Sequence, residues 1–187
     1  MTRAEIKVAG FGGQGVILAG VILGKAASIY DHLHATMIQS FGPEARGSAC
    51  AAQIMIDQAP IAYPYIKHPS ILIVFNQDAY NLFAHQLCEN GILIYEESIV
   101  ALGHLHPKST STYGVPAARI AEEIGRSLVQ NIVMVGAFAG LVDLISFDAI
   151  ERAVCDSIPR GTEDLNMKAL ERGHAFAQDL VGVVHTH

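Results

Sequence analysis

Residues 10–15 read Gly-Phe-Gly-Gly-Gln-Gly, between a short apolar run at residues 6–9 and a longer one from residue 16 onward. A glycine turn joining a strand to a helix leaves few architectures open, because glycine lets the chain reverse sharply and packs the helix close against the strand it leaves. The first N–H groups of such a helix are unpaired and carry partial positive charge, so the turn is also a ready place for an anion. Gly10, Gly12 and Gly15 match the dinucleotide pattern G-x-G-x-x-G in the strand–turn–helix context it requires. That pattern has a usual companion, an acid about 20 residues on that holds a ribose hydroxyl. Here the corresponding stretch, Ala35-Thr-Met-Ile-Gln-Ser40, has none. Two readings of the turn stay open: an anion or nucleotide cradle, or a turn that only packs helix on strand.

The remaining pattern alternates strands and helices. A helix is expected from 16 to about 30, a strand at 34–39, a turn-rich loop at 40–47 and a strand at 48–56. Only the eight residues 40–47 lie between the second and third strands, too few for a helical crossover, so the third strand is expected to be antiparallel or joined by an irregular loop. Residues 71–75 form a continuous apolar run, the mark of a central parallel strand. Asn76-Gln77-Asp78 opens a helix expected at 79–88. Strands are expected at 92–95 and 110–114, with helices at 117–125, 131–143, 146–155 and 162–180. The helix at 131–143 is apolar all round and therefore buried. The order predicts one domain over residues 1–187. It is a three-layer α/β/α Rossmann-like fold with a mostly parallel sheet, a helical C-terminal third and a disordered tail at 181–187. Ligands of such sheets gather at the carboxyl ends of the strands. The turns at 10–15, 40–47 and 76–78 each follow a strand, so they are expected at one rim.

Composition narrows the function. The chain is 51% hydrophobic and 16% charged, against about 25% charged in an average globular domain. The longest apolar stretch, 132–142, is about half of the roughly 20 residues a membrane span needs. The excess apolar content is expected either in a large, obligate protein interface or in a well-filled core beneath a sparsely charged surface. A net charge of −6 without a Lys/Arg cluster argues against nucleic acid. No signal peptide precedes the first strand, and three scattered cysteines suit a reducing cytoplasm.

Several chemistries are missing. Cys50, Cys88 and Cys155 are too far apart in sequence for an iron–sulfur motif. Cys88 and Cys155 are expected in helix cores and Cys50 in a strand. His104 and His106 lack a third metal ligand and read as loop residues; no metal site is expected. The G-x-S-x-G elbow is absent, and Gly15-Val16-Ile17 excludes a Walker loop. Glu44 and Arg46 form either a structural pair or, through the planar Arg fork, a grip on a phosphate or carboxylate. No catalytic residue is assigned to the chain by itself.

The chain is similar to the gamma subunit of the 2-oxoacid:ferredoxin oxidoreductases. The resemblance rests on Gly10-Phe-Gly-Gly-Gln-Gly-Val16, Ser40-Phe-Gly-Pro-Glu-Ala-Arg-Gly47, Phe75-Asn-Gln77, Asn131-Ile-Val-Met-Val-Gly-Ala137 and Leu165-Asn-Met-Lys-Ala-Leu170, in that order. Ser48 stands where the family pattern has a second glycine after the arginine. The resemblance implies a complex that oxidatively decarboxylates a 2-oxoacid to acyl-coenzyme A and passes electrons to ferredoxin. Thiamine diphosphate, Mg2+, coenzyme A and iron–sulfur clusters belong to that complex, with alpha, beta and delta subunits as partners. None of these groups is expected on this chain alone, which is expected to be inactive and prone to self-association when isolated.

On the same reading, Gly12, Gly13, Gln14 and Gly15 form an anion-binding turn with Asn76 at the same rim. Ser40, Gly42, Pro43, Glu44, Arg46 and Gly47 line a subunit junction near the active centre. The alternative, motivated by the glycine pattern, is a free-standing nucleotide-binding oxidoreductase.

Overall fold

A computed structural model describes residues 3–41 and 49–184. Six strands, β1 (Arg3–Phe11), β2 (His34–Phe41), β3 (Ala49–Asp57), β4 (Ile71–Val74), β5 (Ile92–Glu96) and β6 (Ser111–Val115), form one sheet in the order β2-β3-β1-β4-β5-β6. The ladders β1–β4, β4–β5 and β5–β6 are parallel. β3 runs antiparallel to both β1 and β2, as the short link between β2 and β3 requires. β4 is buried at all four positions, in keeping with its unbroken Ile-Leu-Ile-Val run.

Alternation divides the sheet into two unequal faces. Ile6, Val8, Ile54, Ile71 and Ile73 enter the larger core with α1 (Val16–Lys25), α3 (Ala117–Ile124), α4 (Gln130–Leu141), α5 (Phe147–Cys155) and α6 (Glu163–Val184). Ala9, Ala51, Leu72, Val74 and Leu93 face the smaller core, closed by α2 (Gln77–Phe83) with Ala79 and Tyr80. The crossover from β5 to β6 on that side is coil, anchored by Val100 and by Tyr80 Oη, which accepts from Gly103 N at 2.9 Å.

Boundaries differ from expectation where local geometry intervenes. The first helix is α-helical to Lys25 and continues as a π-helical turn over Ala26–Tyr30. Asp31 then accepts from Ser146 N and Ser146 Oγ at 2.6 Å each, and Ser146 Oγ accepts from Ala149 N, capping α5. α2 stops at Phe83, followed by a 3₁₀ turn at Ala84–Gln86. Cys88 therefore lies beyond the helix and is half-buried, with its N–H donated to Pro69 O. Cys155 ends α5 and is exposed beside Met167. Neither is the core residue its apolar neighbours suggested. α6 continues to Val184, past the end expected near residue 180. Among the described residues no helix is long and apolar enough to cross a membrane.

Candidate functional site at the carboxyl rim of the sheet

β1 leads into the glycine turn, where Gly13 (φ 98°) and Gly15 (φ 75°) take the left-handed backbone that favours glycine. Gly15 is the N-cap of α1. Gly10 needs its missing side chain for another reason. A Cβ there would meet Gln14 Oε1 at 2.7 Å, Val16 Cγ2 at 2.9 Å and Phe75 Cβ at 3.0 Å. The Gln14 amide thus folds back into the crook of the turn. Its Oε1 accepts from Phe11 N at 2.7 Å and from Asn76 Nδ2 at 2.8 Å.

Asn76, buried at the end of β4, uses its other amide atom as the N-cap of α2, Oδ1 accepting from Ala79 N at 2.8 Å. One asparagine therefore joins the β1 turn to the α2 start. The N-terminus of α4 adds two more amides. Asn131, 3% exposed, donates Nδ2 to Gly15 O at 3.3 Å. Gln130 donates Nε2 to Glu96 Oε2 at 3.0 Å. Glu96, fully buried at the end of β5, also takes Ala118 N on Oε2 at 2.8 Å and Ser98 N on Oε1 at 3.0 Å. The ends of β1, β4 and β5 are thus laced together by Gln14, Asn76, Gln130, Asn131 and Glu96.

Gly12, Gly13, Gln14, Gly15 and Asn76 are brought together as the sequence suggested. Ser40 is exposed near the end of β2, paired with Ala51. Gly42, Pro43, Glu44, Arg46 and Gly47 lie outside the described residues. Their flanks are placed: Phe41 pairs with Cys50, and Cys50 with Gly10, in one row across the sheet. Ala49 pairs with Phe11 beside the glycine turn. Phe41 is 67% exposed, one of the largest apolar surfaces on the described chain.

Asp78 and Glu97 are exposed at the ends of β4 and β5. Cys50 is buried, and burial pushes its thiol above the ordinary range, so it acts as a small apolar side chain rather than a thiolate. Tyr95, near Glu97, is raised by burial and then by that carboxylate. β2 carries no acid in the position of a ribose ligand, which removes the usual companion of a dinucleotide turn. His104 and His106 sit in the coil after β5, as expected. With Gly103 and Lys108 they line a cleft of about 370 Å3 on the smaller-core side. No cluster of three or more His, Cys, Asp or Glu able to hold a metal occurs among the described residues.

Glu96, Gln130 and Asn131 were not singled out from sequence as site residues. Asn131 had a signal: a polar residue opening a helix that is otherwise apolar all round. Glu96 had none, since Glu96 and Glu97 are adjacent and only the fold shows which is buried.

A family model described as pyruvate ferredoxin/flavodoxin oxidoreductase matches residues 5–176. The 2-oxoglutarate synthase subunit KorC of Methanocaldococcus jannaschii is 42% identical over 179 residues, covering 95% of this chain and 96% of that protein. The ketoisovalerate oxidoreductase subunit VorA of Methanothermobacter marburgensis is 33% identical over 183 residues, 94% of this chain but 37% of that longer protein. Among solved structures, the gamma subunit of a keto/oxoacid ferredoxin oxidoreductase from Geobacter sulfurreducens PCA superposes with a TM-score of 0.83 at 36% identity, covering 94% of this chain and 99% of that one.

Proposed function

This chain belongs to the pyruvate ferredoxin/flavodoxin oxidoreductase family and is a gamma subunit of a 2-oxoacid:ferredoxin oxidoreductase; we propose that its complex converts 2-oxoglutarate, coenzyme A and two oxidised ferredoxins to succinyl-coenzyme A, carbon dioxide, two reduced ferredoxins and a proton. The observation that carries the substrate is the end-to-end match, at 42% identity, to a protein named as a 2-oxoglutarate synthase subunit. Thiamine diphosphate, held mainly by alpha and beta companions, supplies the electron sink for decarboxylation. Iron–sulfur clusters on the beta and delta parts would supply the path for the electrons, and this chain would hold none of them.

The part proposed for this chain is to shape and close the site. Its rim presents a glycine turn braced from beneath by Gln14 and the buried amides of Asn76 and Asn131, with the carboxylate of Glu96 buried and engaged by three donors. A turn held in one shape in this way orients a ligand through its backbone N–H groups and helps to exclude water. Ser40, Gly42, Pro43, Glu44, Arg46 and Gly47 form the junction with the companion chain, where Arg46 grips a carboxylate or phosphate. The exposed Phe41 supports an apolar contact at the same place.

The test is Arg46→Ala in the complex co-expressed with its companions, assayed for 2-oxoacid- and coenzyme A-dependent reduction of a low-potential acceptor. Turnover or assembly should fall at least tenfold while the chain itself still folds. Undiminished turnover and assembly would contradict the junction role. A preference for pyruvate or 2-ketoisovalerate over 2-oxoglutarate would contradict the substrate.

A further inference from the structure

We propose that Asn131 is a positioning residue for the rim: from the first turn of α4 it fixes the conformation of the glycine turn through Gly15. Three observations converge on it. Asn131 is buried, yet it opens a helix whose next seven residues are also buried, and a polar side chain there costs free energy unless it is bonded. Its bond goes not to a neighbour in its own helix but to Gly15 O, 116 positions earlier. It also fills the space a side chain on residue 15 would need, since a Cβ on Gly15 would stand 2.4 Å from Asn131 Nδ2 and 2.5 Å from Asn131 Cγ.

The second anchor is next door. Gln130 is tied to the buried Glu96, which in turn receives the second N–H of α3. The start of α4 thus meets two strand ends through separate bonds, Gln130 at the end of β5 and Asn131 at the turn after β1. These two residues span the strand ends on either side of β4, and Gln14–Asn76 closes the gap between them. In this scheme Gly15 holds its left-handed backbone because Asn131 packs on its α-carbon and bonds its carbonyl. Its neighbours Gly12 and Gly13, which have no such packing, take their shape from it.

The functional half of this inference rests on the gamma-subunit reading; the structural half does not. Asn131→Asp keeps the size and turns the donor into an acceptor facing Gly15 O. Asn131→Ser shortens the side chain and is the milder variant. Gln130→Met cuts only the link to Glu96 and serves as the control. Amide hydrogen exchange is followed on the full chain. The Asn131 variants should exchange about tenfold faster at residues 12–15, the effect of losing one hydrogen bond in a local opening. Amides in α5 and α6 should stay within about twofold, and Gln130→Met should leave residues 12–15 equally close to the parent.

In the co-expressed complex, the same Asn131 variants should lose at least about fivefold in turnover with assembly retained. Unchanged exchange at residues 12–15, an equal rise throughout the chain, an equal rise in Gln130→Met, or failure of both Asn131 variants to fold would each overturn the positioning role. Faster exchange at the turn with full turnover would overturn its functional half. If the parent chain finds no companions at all, the gamma-subunit reading fails while the exchange result stands by itself.

Discussion

Gly136 on α4 and Gly173 on α6 face each other across a helix crossing so close that neither position has room for a methyl group. A Cβ on Gly136 would lie 2.1 Å from Leu170 O, and a Cβ on Gly173 would lie 2.1 Å from Val133 O. Each glycine thus admits the backbone of the opposite helix. Gly140 repeats the arrangement one turn on, against His174 O at 2.7 Å. The crossing holds α4 in place, and α4 in turn presents Asn131 to the rim.

Replacing Gly173 by alanine forces two backbones apart, with no flexible side chain to absorb the shift. Overpacking of this kind costs about 3 kcal/mol, or roughly 10 °C in melting temperature for a chain of this size. Thermal melting followed by circular dichroism checks it. The exposed Gly182, where a Cβ meets nothing within 4 Å, is the matched control, and alanine there should leave the melting temperature unchanged or raise it.

Glu96 is the acceptor for three donors in a place closed to water. Glu96→Ala strands Ser98 N, Ala118 N and Gln130 Nε2 and should cost about 3 kcal/mol. Glu96→Gln keeps one acceptor oxygen and should cost about 1 kcal/mol. Urea denaturation orders the two variants; equal stability of Glu96→Ala and parent would contradict the anchoring role.

Lys7 is a lysine buried in the middle of β1. Its amine reaches Gln86 Oε1 at 2.5 Å and lies 4.7 Å from the centre of the Phe83 ring. Burial pushes the amine below its ordinary value of 10.5. A charge held by an amide and a ring face, and disfavoured by burial, is replaceable by an apolar chain of like shape. Lys7→Met should therefore melt no lower than the parent at pH 7. The unfolded chain binds this proton more tightly than the folded one, so the parent regains stability as pH rises from the folded pKa to 10.5. Any advantage of the methionine should shrink over that range.

His106 donates to or accepts from Tyr80 Oη at 2.9 Å, and burial, then the neighbouring His104, lowers it from 6.5. His174 is lowered as well, chiefly by burial. For both, the unfolded chain takes up protons first as pH falls below 6.5, so the folded state loses stability from there down to the folded pKa values. Melting temperatures at pH 7.5 and pH 5.5 should differ less in His106→Asn than in the parent. An unchanged difference would show that His106 titrates like a free imidazole.

Much of this was legible because it depends on local chemistry. The glycine turn, the apolar run of β4, the asparagine at 76 and the antiparallel third strand follow from residue type and linker length. The helix at 130–141 announced its burial by lacking a polar face. What sequence did not disclose depends on distant partners. α2 ends at Phe83, short of Cys88, whose N–H goes to Pro69 O, and Cys155 at the end of α5 lies on the surface beside Met167, so Cys88 is half-buried and Cys155 exposed. The burial of Lys7 needed Phe83 and Gln86, 76 and 79 positions away. At the rim, Gln14 and Asn76 were visible as polar residues after strands. Their bond to each other, and the reach of Asn131 to Gly15, exist only once α1, α2 and α4 are stacked on the sheet.

The central claim is that this polypeptide is one part of a 2-oxoacid-oxidising assembly. Native mass spectrometry of the affinity-purified chain, co-expressed with the products of its neighbouring genes, tests it most directly when paired with a 2-oxoglutarate-dependent assay of the same sample. The account predicts a stable hetero-oligomer containing thiamine diphosphate and iron–sulfur clusters that forms succinyl-coenzyme A, with no turnover by the chain alone. A lone species that binds a nicotinamide or flavin nucleotide and turns over without companions would contradict it.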